Sequence, residues 1–109
     1  MKSEILVALG ANINGCWGPP QATLGRAGRE LEAFGLTVRR RSTVFSSHPI
    51  GTISQPDYLN AVLVISGSIA PGALLRRAKR LERAAGRRPR VRWGARPLDI
   101  DILDFGGRV

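Results

Sequence analysis

Asp99 and Asp101 stand one residue apart inside an apolar run, Leu98-Asp-Ile-Asp-Ile-Leu103, directly after a tract crowded with arginine. A strand sends successive side chains to opposite faces, so the two aspartates share one face while Leu98, Ile100 and Ile102 take the other. Two carboxylates roughly 6–7 Å apart along a strand face repel each other unless a cation lies between them. Hard oxygen ligands of this kind suit magnesium, which binds through one or two carboxylates and completes its shell with water and phosphate oxygens. Arginine, in turn, is the side chain best shaped for bidentate contact with phosphate. The combination points to a nucleoside triphosphate site. At this level the alternative is an ordinary edge strand whose aspartates face water.

The 109-residue chain has a formal charge of +9, unevenly placed. Ten of its seventeen basic residues are Arg76, Arg77, Lys79, Arg80, Arg83, Arg87, Arg88, Arg90, Arg92 and Arg96, with Glu82 the one acid among them. Such a cluster fits a nucleic-acid surface or a polyphosphate pocket. A solvated helix face accounts for the first five but not for the continuation from Arg87 to Arg92. Two familiar phosphate signatures are missing: there is no Walker-type loop, and Gly10-Ala-Asn-Ile-Asn-Gly15 does not match the dinucleotide fingerprint. With one cysteine, Cys16, and one histidine, His48, the sequence offers neither a Cys/His zinc cluster nor a serine triad. A single cysteine predicts no internal disulfide and a reducing, cytoplasmic setting. The apolar runs are too short for a membrane helix or a signal peptide.

The elements that must position these residues follow from periodicity. Hydrophobic residues make up 43% of the chain and charged ones 23%, the balance of a folded domain, here taken as a single unit over 1–109. Ile5 to Leu9 reads as a short buried strand stopped by Gly10-Ala11-Asn12. Leu24, Ala27, Leu31 and Phe34 recur at helical spacing between Pro19-Pro20 and Gly35. A second strand runs from Leu36 to Phe45, a long loop from Ser46 to Asp57, and a third strand from Tyr58 to Ser66. Pro71 opens a second helix with the stripe Leu74, Ala78, Leu81 and Ala85, closed by Gly86. The fourth strand is Leu98 to Phe105. The order βαββαβ predicts an α+β, ferredoxin-like fold, an antiparallel four-stranded sheet with two helices on one face. Asp99, Asp101, Tyr58 and Asn60 then fall on the open face.

Four ordered segments carry a resemblance: Val7-Ala-Leu-Gly-Ala-Asn12, Gln55-Pro-Asp-Tyr-Leu-Asn60, Glu82 followed by Gly86-Arg87, and Arg92-Trp-Gly-Ala-Arg96 leading into Leu98-Asp-Ile-Asp101. From about Ile5 to Gly106 the chain resembles the 6-hydroxymethyl-7,8-dihydropterin pyrophosphokinases. The resemblance implies a magnesium-dependent transfer of diphosphate from ATP to the hydroxymethyl group of a pterin in folate biosynthesis, with release of AMP. It implies that Asp99 and Asp101 hold two magnesium ions. Arg87, Arg92 and Arg96 would be the catalytic phosphate clamps, sharing the ATP site with Glu82, Trp93 and Ile102. The pterin would meet Ser47, Pro49, Ile50 and Gly51 on one loop, with Tyr58, Asn60 and Trp93 around its ring. Two local departures stand out: His48 occupies the place of a second proline, and Pro89 that of an arginine for which Arg88 and Arg90 are the available substitutes. Family members continue past the position of Val109 with a Pro-His segment, a further arginine and a phenylalanine that stacks on the pterin. The chain as written is therefore expected to be slow or inactive.

Two rival readings remain open on the sequence: a family member that binds ATP or pterin without turnover, and a basic RNA-binding ferredoxin-like module. The RNA reading needs stacking aromatics on the central strands, where only Tyr58 is available, and paired aspartates on the same face repel phosphate. The expected partners are thus ATP and hydroxymethyldihydropterin, with no nucleic acid, no membrane and a monomeric chain.

Overall fold

Alternation in the first apolar run decides the architecture. Ile5, Val7, Leu9 and Ala11 are at most 2% exposed, while Leu6 and Ala8 between them are half-buried. A strand with one face this dry must lie at the centre of a sheet with helices on that face. The computed structural model describes residues 3–51, 54–87 and 94–106. Its elements are β1 (Ser3–Ala11), α1 (Pro20–Ala33), β2 (Thr37–Arg41), β3 (Phe45–Ser47), β4 (Tyr58–Gly67), α2 (Pro71–Ala84) and β5 (Asp99–Phe105). All pairings are antiparallel in the order β2-β4-β1-β5, with β3 also on β4. Leu24, Ala27 and Leu31 of α1 and Leu74, Ala78 and Leu81 of α2 join the same buried cluster as the inward residues of β1, β4 and β5. The fold is the α+β arrangement that the periodicity predicts.

Four expectations are corrected. The first strand does not stop at Leu9: Gly10 and Ala11 stay in the ladder because β4 flanks them and β5 holds Gly10 from the other side. The second strand is two pieces, giving five strands rather than four. Thr37 pairs with Ser66, but Arg40 pairs with Val64 and Phe45 with Asn60, so one extra residue enters the edge twice. At the second interruption the Ser42 hydroxyl accepts the Val62 N–H at 2.8 Å, replacing a ladder partner. Phe34, expected on the apolar stripe of α1, is past its last turn and 40% exposed, with the Arg77 guanidinium 4.7 Å over its ring. In β5 the extra residue Leu103, opposite Leu6/Val7, resets the parity, so Phe105 rather than Asp104 returns to the core side after Ile102.

Both helices begin with proline at the first helical positions and no side-chain cap, using the ring where a free N–H would otherwise be left. α2 ends at Gly86, whose φ of 111° lets the Gly86 N–H reach Arg83 O and the Arg87 N–H reach Glu82 O, each at 3.0 Å. This turn fixes where Arg87 leaves the helix.

Candidate active site

The open sheet face has a floor made of missing side chains. Gly10 lies between Asn60 on β4 and Asp99 on β5, and Ala8 lies between Val62 and Asp101. A Cβ on Gly10 would stand 3.3 Å from Asn60 Oδ1 and 3.6 Å from Tyr58 Cδ1, so glycine keeps the space above it open. That space is part of a cavity of about 560 Å³, well within the usual size of a small-molecule site.

One end of the cavity is charged. Arg96 Nη1 lies 3.6 Å and Arg87 Nη1 3.4 Å from Asp99 Oδ1. Arg87 Nη1 also donates to Glu82 Oε1 at 2.6 Å, while Glu82 Oε2 accepts the Ile100 N–H at 2.8 Å. Lys79 Nζ is 3.6 Å from the same Glu82 carboxylate. Glu82 is 2% exposed, and a carboxylate so placed must be paired. It joins α2 to β5 and holds Arg87 against Asp99. Burial, then the Asp99 charge and hydrogen bond, then Glu82, push the Asp101 carboxyl above the ordinary range, with Lys79 opposing.

The other end is less polar. Asn60 Nδ2 donates to Ser47 Oγ at 2.9 Å and to Phe45 O at 3.2 Å, which leaves Oδ1 over Gly10. Tyr58, Pro49 and Ile50 add wall, and burial with the Asp99 charge pushes the Tyr58 phenol up against the pull of Arg87. His48 Nδ1 lies 3.0 Å from Asp57 Oδ1 on the rim. A flat heterocycle with an amide-like edge fits this end, and phosphates fit the other.

Of the residues expected at the site, Ser47, Pro49, Ile50, Tyr58, Asn60, Arg87, Arg96, Asp99 and Asp101 line this one cavity. Three others do not line it: Glu82 is spent beneath the wall, Ile102 packs on the core side of β5, and Gly51 lies outside it with a φ of 111°. Arg92 and Trp93 lie outside the described residues, as do Arg88, Pro89 and Arg90. Sequence reasoning missed Lys79, Gln55, His48 and the small floor residues Ala8 and Gly10. Composition alone puts Lys79 on the solvated face of α2. Its position three residues before Glu82 was the signal that it shares the inward turn.

Asp99 and Asp101 fit a magnesium ion. No group of three or more metal-binding side chains is gathered among the described residues, and magnesium does not need one, since phosphate and water complete its shell. The raised Asp101 carboxyl marks two like charges that a divalent cation would relieve. No helix among the described residues is long and apolar enough to cross a membrane.

Comparison with known proteins bears on this geometry. The sequence profile of the 7,8-dihydro-6-hydroxymethylpterin-pyrophosphokinase family matches residues 6–109. A 2-amino-4-hydroxy-6-hydroxymethyldihydropteridine pyrophosphokinase of Haemophilus influenzae is 36% identical over 104 residues, covering 94% of this chain and 62% of that protein. Its counterpart in Aquifex aeolicus is 36% identical over 107 residues, covering 98% and 64%. A mitochondrial folate synthesis bifunctional protein of Arabidopsis thaliana is 36% identical over 105 residues, 96% of this chain and 18% of its own length. The chain thus spans a little under two thirds of these bacterial relatives and a fifth or less of the plant one. With the profile matched over residues 6–109, a span that contains the cavity's arginines and aspartates, the chain belongs to the 7,8-dihydro-6-hydroxymethylpterin-pyrophosphokinase family.

Proposed function

We propose that the cavity binds ATP at its charged end and 6-hydroxymethyl-7,8-dihydropterin at the end formed by Tyr58, Asn60 and Ser47, and transfers diphosphate between them. The observation that carries this reading is the union of both chemistries in one cavity: three cations and two carboxylates at one end, an apolar wall with an amide at the other. The pterin hydroxyl oxygen bonds to the β-phosphorus of ATP, the bond from that phosphorus to the oxygen bridging the α-phosphate breaks, and AMP leaves with that oxygen. The hydroxyl proton passes to solvent.

Phosphoryl transfer asks a protein for positioning and charge stabilisation more than for covalent chemistry. Arg87 and Arg96 both bring a guanidinium nitrogen within 3.6 Å of Asp99 Oδ1, so two cations are gathered where a polyphosphate would lie. Lys79 adds a flexible cation above the same wall. Asn60 Oδ1 accepts from the pterin edge, and its amide nitrogen holds β3 in place. Magnesium held by Asp99 and Asp101 supplies charge neutralisation and alignment of the phosphate oxygens. Arg92 and Trp93, outside the described residues, are further ATP contacts in this reading.

The test is mass spectrometry after incubation with ATP, magnesium and hydroxymethyldihydropterin. AMP and pterin diphosphate are expected in equal amounts. ADP with pterin monophosphate would mean a different transfer, and no product with no binding of either substrate would overturn the reading.

A further inference from the structure

Asn12 is 3% exposed, and each polar atom of its amide is engaged. Its Oδ1 accepts the Arg96 N–H at 2.8 Å, and its own N–H donates to Arg96 O at 3.0 Å. Its Nδ2 donates to Pro56 O at 3.0 Å and to Gln55 Oε1 at 2.8 Å. The orientation of the amide is fixed by chemistry alone: a backbone carbonyl can only accept and a backbone N–H can only donate. One buried side chain therefore ties the segment entering β5, which carries Arg96 and Asp99, to the loop entering β4, which carries Tyr58 and Asn60. These are the two ends of the cavity, and Asn12 itself does not line it.

We infer that Asn12 is a positioning residue that sets the spacing between the two substrate ends of the cavity; this rests on the function proposed above. Arg96 reaches Asp99 because its backbone is held on both sides by Asn12. The Gln55-Pro56 segment leading into Tyr58 is held by the same amide. A shift of either segment would move one substrate relative to the other, and transfer between bound groups is sensitive to displacements of about 1 Å.

The test compares Asn12→Asp with Asn12→Ala. Aspartate keeps the oxygen that accepts from Arg96 but sets a carboxylate oxygen against the Pro56 carbonyl, so only the β4 side is released. Alanine releases both sides. Binding of a non-hydrolysable ATP analogue with magnesium, and of hydroxymethyldihydropterin, is measured by calorimetry. Amide hydrogen exchange of Ser54, Gln55, Asp57, Tyr58 and Arg96 is followed without ligand. Asn12→Asp should weaken pterin binding about tenfold, equivalent to about 1.4 kcal/mol, and leave nucleotide binding within about threefold. Asn12→Ala should weaken both. Exchange should rise at Ser54, Gln55, Asp57 and Tyr58 in both variants and at Arg96 in the alanine variant alone. Unchanged exchange in both variants overturns the tie, even if the wild type binds neither substrate and the proposed function fails separately. Raised exchange with both affinities unchanged reduces Asn12 to a structural residue and overturns the inference.

Discussion

Asp101 is the residue whose chemistry is least comfortable in the folded chain. Burial and Asp99 raise its carboxyl above the ordinary range, so the folded state holds that proton more tightly than the unfolded one. Stability from this group is therefore greatest below the ordinary carboxylate pKa, falls as pH rises through the raised value, and stays lower at neutral pH. Asp101→Asn should remove that fall, melt higher than the wild type at neutral pH, and lose the increase in Tm that the proposed function predicts for the wild type with magnesium and ATP. Thermal melts across the acid range, with and without magnesium-ATP, check both. A variant that melts lower than the wild type at neutral pH would contradict the sign. The pairing of Asp99 with Asp101 was legible from spacing alone, since alternation along a strand needs no partner to be known. Glu82 was not legible in the same way. Its role depends on the Ile100 N–H, which only folding brings to it.

Elements show the same division. The face of α2 was readable because its four apolar positions repeat with the helical period, and β5 because its first residues alternate. The edge formed by β2 and β3 was not, because its two extra residues are defined against β4 and not by their own pattern. The end of α2 links an element to the site. Gly86 at φ 111° turns the chain so that Arg87 meets both Glu82 and Asp99, and a Cβ there would stand 3.2 Å from Cys16 N. Gly86→Ala should cost about 1–2 kcal/mol, the usual penalty for a side chain in the left-handed region, and should also weaken nucleotide binding by displacing Arg87. Gly35 ends α1 with the same geometry, at φ 93° with nothing within 4 Å of a built Cβ. Gly35→Ala should lower Tm without changing nucleotide affinity. Calorimetry on the pair separates the local strain from its effect on the site.

At the scale of the whole molecule, the formal charge of +9 draws polyanions toward the surface from any side, while the cavity decides which of them stays. Arg39, Arg40 and Arg41 lie exposed on the sheet edge, away from the cavity-lining residues. Replacing all three with glutamate lowers the formal charge to +3. Association with a fluorescent ATP analogue should slow and lose most of its salt dependence, with the dissociation rate unchanged. Stopped-flow measurement over a salt series tests this, and a faster dissociation rate would place those arginines at the site itself. The topology also bears on how the molecule is made. β1 is synthesised first yet ends at the sheet's centre, where Ile5 faces Phe105 and the Gly106 N–H closes on Glu4 O at 2.8 Å. Until β5 is made, the central strand has an open edge, and the floor at Gly10 lacks the wall that Asp99 supplies. A nascent chain thus carries its central strand half-paired between the emergence of β4 and that of β5, an interval in which misassociation competes with completion of the sheet.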